Sequence, residues 1–142
     1  HDPHTLIEGA LIASFAMGLV TNAKLRRYGI ELTRLCAEWN VLTTRIMLSA
    51  RKDRDVVSAA SHHFLMYSGY VTMAYFWALQ AEVAYEKLEN GGTETPEFYK
   101  AKIQTAEFSF DRMLPRADGH FSSMMATSQS IMQINNDHFT MA

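Results

Sequence analysis

The sequence contains one cysteine, Cys36, so no disulfide can form within the chain. A lone thiol fits a reducing, cytoplasmic setting. Positive charge is not in excess: 13 Lys and Arg stand against 15 Asp and Glu, a formal charge of −2. That balance argues against a nucleic-acid surface, which shows as a basic excess. Three prolines and seven glycines in 142 residues exclude a loop-rich or low-complexity chain. Strand-type alternation is weak throughout, and no glycine-rich phosphate loop is present. His1-Asp2-Pro3-His4 is not a basic stretch followed by an apolar run, so no secretory leader is read there. The chain does not begin with methionine, which points to processing or to a piece of something longer.

What the sequence does have is helical periodicity. Thr5-Leu6-Ile7-Glu8 has the capping-box form and predicts a first helix from Thr5 to about Met17. Thr21-Asn22 can cap a second helix ending near Ala50. On it Leu25, Tyr28, Leu32, Leu35, Cys36, Trp39, Leu42, Thr43 and Ile46 share one face, while Glu31, Arg34, Glu38 and Arg45 lie away from its centre. Arg51–Asp55 reads as a charged, solvated connector with Asp53 as a cap.

A third helix is predicted over Arg54–Glu89, closed by Gly91-Gly92. No Asp, Glu, Lys or Arg occurs between Asp55 and Glu82, which raises the question of a membrane span. Ser58, Ser61, His62, His63, Ser68, Thr72 and Gln80 load that stretch with polar groups, so it reads as the central helix of a bundle. Ala59, Ala60, Ser68, Gly69 and Ala74 would let neighbouring helices approach closely. Trp39 and Trp77 are expected on inner faces, largely buried.

The fourth helix opens at Thr95-Pro96, a capping threonine followed by proline at the first helical position. Tyr99, Ile103, Ala106, Phe110, Met113 and Leu114 form its apolar stripe; Lys100, Gln104, Glu107 and Asp111 form a wet one. Phe98, Ala101, Thr105 and Phe108 lie on neither, and Phe108 falls roughly opposite the apolar stripe. Pro115, followed by Asp118-Gly119, kinks or breaks the helix. Beyond it Phe121, Met124, Met125, Ser128, Ile131 and Met132 resume helical spacing. The fold class read from these patterns is all-α: one domain over residues 1–142, an up-and-down bundle of four to five long helices, the last kinked or broken near Pro115.

Chemistry is sparse. No Glu-x-x-His pair marks a di-iron bundle, and His62-His63, being adjacent, point to different helix faces and make poor joint metal ligands. Cys36 lies on the apolar stripe of the second helix and reads as a small buried hydrophobe. Glu82, Glu86 and Glu89 read as the solvated end of the third helix. Arg112 and Arg116 flank the proline and read either as surface arginines or as partners for an anion or a carboxylate of another domain. No catalytic, cofactor-binding or metal-binding residue is assigned.

The segment "YFWALQAEVAYEKLENGG" followed by "EFYKAKIQTAEFSFDRMLPRA" resembles the extra C-terminal domain found in one branch of the acyl-CoA dehydrogenase family. That branch includes enzymes similar to 3-methylmercaptopropionyl-CoA dehydrogenase. The shared order is Phe98-Tyr99, Ala101-Lys102, Thr105-Ala106, Phe110 and Leu114-Pro115-Arg116, with Trp77, the glycine stop and the final "SIMQINNDHF" in agreement. The resemblance covers about Ser61 to Phe139; residues 1–55 agree only as helices of the right length. It implies a parent enzyme that uses FAD to remove two hydrogens from the α and β carbons of an acyl-CoA. The base and most flavin contacts of such enzymes lie in a body absent here, so the fragment itself is expected to be inactive and without a cofactor. Its implied partners are that catalytic body and a second copy of the chain. Phe98, Ala101, Phe108, Arg112 and Arg116 are the expected interface. The alternative reading is an independent helical protein-binding module.

Overall fold

The computed structural model describes residues 3–51 and 54–126. Every element among them is helical: α1 Pro3–Val20, α2 Arg26–Ala50, α3 Arg54–Asn90, α4 Pro96–Phe108, a π-helical turn Ser109–Met113, and α5 Arg116–Met125. The chain runs up and down. Ala16 of α1 lies beside Gly29 of α2 and Gly9 beside Trp39, so the first two helices are antiparallel. Tyr67 of α3 meets Leu35 and Glu38, while Lys24 meets Glu89, so α3 returns antiparallel to α2. The segment from α4 to α5 packs along α3. The expected helical bundle with a bent last element is what forms.

α3 is the centre because its inward seam is built from small residues. Ala60, Ala74, Ala78, Ala81 and Ala84 are buried along it, joined by Tyr67 and Val71. Alanine combines high helix propensity with little bulk, so neighbouring backbones can approach. Leu25, Tyr28, Leu32, Leu35 and Leu42 of α2 pack from one side. Tyr99, Ile103, Ala106, Phe110 and Leu114 pack from the other. Tyr28 and Phe110 meet edge to face with centroids 4.7 Å apart. Of the small residues expected at close approaches, Ala60 and Ala74 are buried, Ser68 is half-buried and Gly69 is exposed.

Several local expectations change. Because α1 begins at Pro3 and runs to Val20, Thr5 lies inside it and is not its N-cap. α2 begins only at Arg26, preceded by Leu25. Asn22 instead organises a tight turn: its side-chain oxygen accepts from Lys24 N–H at 3.1 Å and its carbonyl from Leu25 N–H at 3.1 Å. Asp53, Ala59 as a packing side chain, Ser128, Ile131, Met132 and the final "SIMQINNDHF" lie outside what is described. Trp39 and Trp77 are half-buried, not fully enclosed, and pack against the margin of the core. The alanine seam takes the centre of α3, which leaves Trp77 on its flank.

The fourth helix starts as the sequence predicts. Thr95 is extended, its hydroxyl accepts from Phe98 N–H at 3.4 Å, and Pro96 follows. Pro115 acts before it is reached. Its ring would crowd the carbonyl four residues back and it has no N–H to give. The helix takes up the misfit as a π turn, in which Leu114 N–H donates to Ser109 C=O at 2.8 Å, and α5 then resumes at Arg116. No helix among the described residues is long and apolar enough to cross a membrane.

Candidate functional site

The polar groups near the π turn fix its position. α2 and α5 run parallel, and two arginines of α2 reach across at the same offset. Arg27 pairs with Asp111 in the turn, and Arg34 donates to Asp118 at 3.1 Å. Arg34 also bonds Glu31 at 3.0 Å and Glu38 at 2.8 Å. Burial works against its charge, but Glu31 and Glu38 outweigh that and raise its pKa further. The other oxygen of Glu38 accepts from the Tyr67 hydroxyl at 2.7 Å. Periodicity alone placed Glu31, Arg34 and Glu38 away from the centre of the apolar face; the structure joins them into one network under the bend. At the far end, Arg45 donates to the Met125 carbonyl at 3.1 Å and closes α5.

A cleft of about 440 Å³ lies over this network, lined by Arg27, Glu31, Arg34, Phe110, Asp111 and Asp118 among others. Both arginines are committed to carboxylates, so the cleft presents no uncompensated cation. Burial chiefly, with Glu107 next, pushes the Tyr28 phenol up to about 12. Burial first, then the bond to Glu38, puts Tyr67 far above the usual tyrosine range. Burial likewise raises the Cys36 thiol, which fits the inert core cysteine expected from its stripe.

The outer side of α4 is different. Phe98 is 44% exposed and Phe108 57%, and Ala101, Arg112 and Arg116 are exposed as well. Neither α1 nor α5 folds back over Phe108. Lys102 sits over the Phe98 ring with its Nζ 5.4 Å from the centroid. Beside Phe98 an apolar groove of about 250 Å³ runs between α3 and α4, lined by Leu79, Val83 and Tyr99 among others. α3 continues this surface outward with exposed Phe76 and Val83. A second apolar groove of about 270 Å³ lies between α1 and α3, walled by Leu11, Ile12, Trp39, Tyr75 and Phe76. The Trp39 indole N–H is buried without a partner.

Among the described residues no group of three or more His, Cys, Asp or Glu side chains is arranged to hold a metal ion. The adjacent His62 and His63 are, however, met by His120 of α5, which the sequence gave no reason to place there: His63 and His120 touch through their Nδ1 atoms at 3.0 Å. Burial, then His63 and His62, lower the pKa of His120.

The arrangement is therefore a braced helical bend beside an exposed aromatic face, with no acid and base converging on an apolar pocket among the described residues. None of the curated proteins compared with the chain matches it. A family model described as acetyl-CoA dehydrogenase C-terminal like matches residues 9–135, nearly the whole bundle and both faces of the bent helix. The chain therefore belongs to the C-terminal domain family of the acyl-CoA dehydrogenases.

Proposed function

We propose that this chain is the C-terminal helical domain of an FAD-dependent, cytoplasmic acyl-CoA dehydrogenase, in the branch resembling 3-methylmercaptopropionyl-CoA dehydrogenase. The parent enzyme would remove hydrogens from the α and β carbons of an acyl-CoA. The domain's own part would be packing: against the catalytic body, or against a second copy, through Phe98, Ala101 and Phe108 with Arg112 and Arg116 at the rim. The family match over residues 9–135 is the observation that carries the parent assignment. The packing role is supported by the two phenylalanines, since a helix serving one core has no use for apolar rings on its outer side.

The described residues do not fit a flavin dinucleotide. Its pyrophosphate needs a cradle of free N–H donors or unpaired cations. The two apolar grooves bring no such cradle together: one has Lys102 at its edge, stacked over Phe98, the other the single indole donor Trp39 Nε1, and the polar cleft's arginines are already paired. The flavin and the base that abstracts the α proton therefore belong, in this reading, to the parent's catalytic body, and no step is assigned to residues of this chain.

Two measurements test the proposal. The genomic frame upstream of the His1 codon should continue into a flavoenzyme body; a start codon immediately before His1 would favour the independent binding module instead. FAD added to the purified chain should leave the spectrum of free flavin unchanged. A bound spectrum that acyl-CoA bleaches would overturn the assignment of the chemistry to the missing body.

A further inference from the structure

His63 lies in α3 and His120 in α5, 57 positions apart in sequence, yet their Nδ1 atoms are 3.0 Å apart. Their rings tilt by 47° with centroids 5.3 Å apart. Two imidazoles binding one ion at about 2.0–2.1 Å hold their donor nitrogens about 2.9 Å apart at a right angle and about 3.3 Å apart at the tetrahedral angle. The observed separation falls between these limits. The His120 side of the pair is braced by its neighbours. Tyr70 stands 5.8 Å from the His120 ring, and α5 is tied to α2 by Arg34 and Arg45.

We propose that His63 and His120 form a two-imidazole site for a divalent transition ion of the Cu2+, Ni2+ and Zn2+ class, clamping α5 onto α3, with water completing the coordination. Imidazole suits that class, whereas Mg2+ and Ca2+ require oxygen ligands. The nearby carboxylates are engaged elsewhere: Asp118 with Arg34, and Glu38 with Arg34 and Tyr67. Without an ion, one ring must give the other a proton across the 3.0 Å contact. The entering ion takes that proton's place, and the ring that held it shifts through solvent to the Nε2–H tautomer, so both imidazoles bind neutral. His62 is not part of the pair as placed. Three imidazoles on one tetrahedral ion have centroids about 5.2 Å apart, and His62 stands 5.4 Å from His63 but 6.3 Å from His120.

The chain has six histidines, so the test uses a background with His1, His4 and His138 replaced by alanine, which leaves only His62, His63 and His120. Cu2+ alone is titrated by calorimetry and followed by electron paramagnetic resonance. One equivalent should bind, with hyperfine coupling to two imidazole nitrogens, and the melting temperature should rise. His63→Ala and His120→Ala should each weaken binding by about tenfold or more while keeping the helical circular dichroism. If either variant unfolds, NMR of the background chain decides: Zn2+ must shift the ring protons of both His63 and His120. Binding no tighter than about 1 mM, equal binding in the variants, or a loss in only one of them would overturn the two-ligand site.

Discussion

Tyr67 of α3 donates its hydroxyl to Glu38 of α2 at 2.7 Å, and the other oxygen of the same carboxylate takes Arg34 at 2.8 Å. Tyr67 is fully enclosed and Arg34 reaches on to Asp118 of α5, so one half-buried carboxylate couples three helices. Tyr67→Phe removes the hydroxyl and leaves Glu38 short of a donor in a poorly solvated place. A hydrogen bond to a charged group contributes about 1.5–3 kcal/mol, and a loss of that order is expected in urea melts. A change below about 0.5 kcal/mol would show that water replaces the phenol at Glu38.

Two glycine substitutions should act with opposite sign. A Cβ at Gly29 would lie 2.7 Å from the Ala16 carbonyl oxygen and 2.9 Å from the Val20 nitrogen. Both are backbone atoms of α1, so Gly29→Ala must push two helices apart, at a cost of about 1–3 kcal/mol. A Cβ at Gly69 meets nothing within 4 Å, and the position is exposed inside α3. Gly69→Ala should stabilise the domain by about 0.5–1 kcal/mol, the helix-propensity difference. Thermal melts of the two variants bracket the wild type if the α1–α2 packing is as described.

Alkali should loosen the α2–π-turn contact. Tyr28 is 3% exposed and its pKa is raised to about 12 from 10.0. A raised folded pKa means the stabilisation is complete below pH 10, where both states keep the proton. Above it the unfolded chain ionises first, and the contribution is lost as pH rises towards about 12. Two units correspond to about 2–3 kcal/mol. Tyr67 ionises late as well, so the measurement is a difference: the wild type should lose stability more steeply than Tyr28→Phe across this window. Parallel curves would mean that Tyr28 is already accessible to hydroxide in the fold.

Phe108→Asp addresses the outer face. The side chain is 57% exposed, so aspartate there meets water: the helical circular dichroism should be unchanged and the stability should stay within about 0.5 kcal/mol of wild type. Docking to the catalytic body, or self-association measured by sedimentation, should weaken. A variant that unfolds would show that the ring is covered within the chain. A variant unchanged in both fold and assembly would remove this face from the proposed role.

Local chemistry made much of the fold legible. Thr95-Pro96 sets a helix start, Gly91-Gly92 lies beyond the end of the helix before it, and Pro115 bends the helix that Thr95 opens, because caps and proline act within one or two turns. The stripe of Tyr99, Ile103, Ala106 and Phe110 was readable for the same reason: a helix turns at a fixed rate, so spacing reports a face. Spacing does not report what a face meets. Only the packed bundle decides that Arg34 finds Asp118, that His63 finds His120, that Gly29 admits α1, and that alanines displace Trp77 from the centre of α3. Each of these depends on residues distant in sequence, brought together by burial of apolar surface, which is non-directional and leaves no periodic mark on the residues it joins.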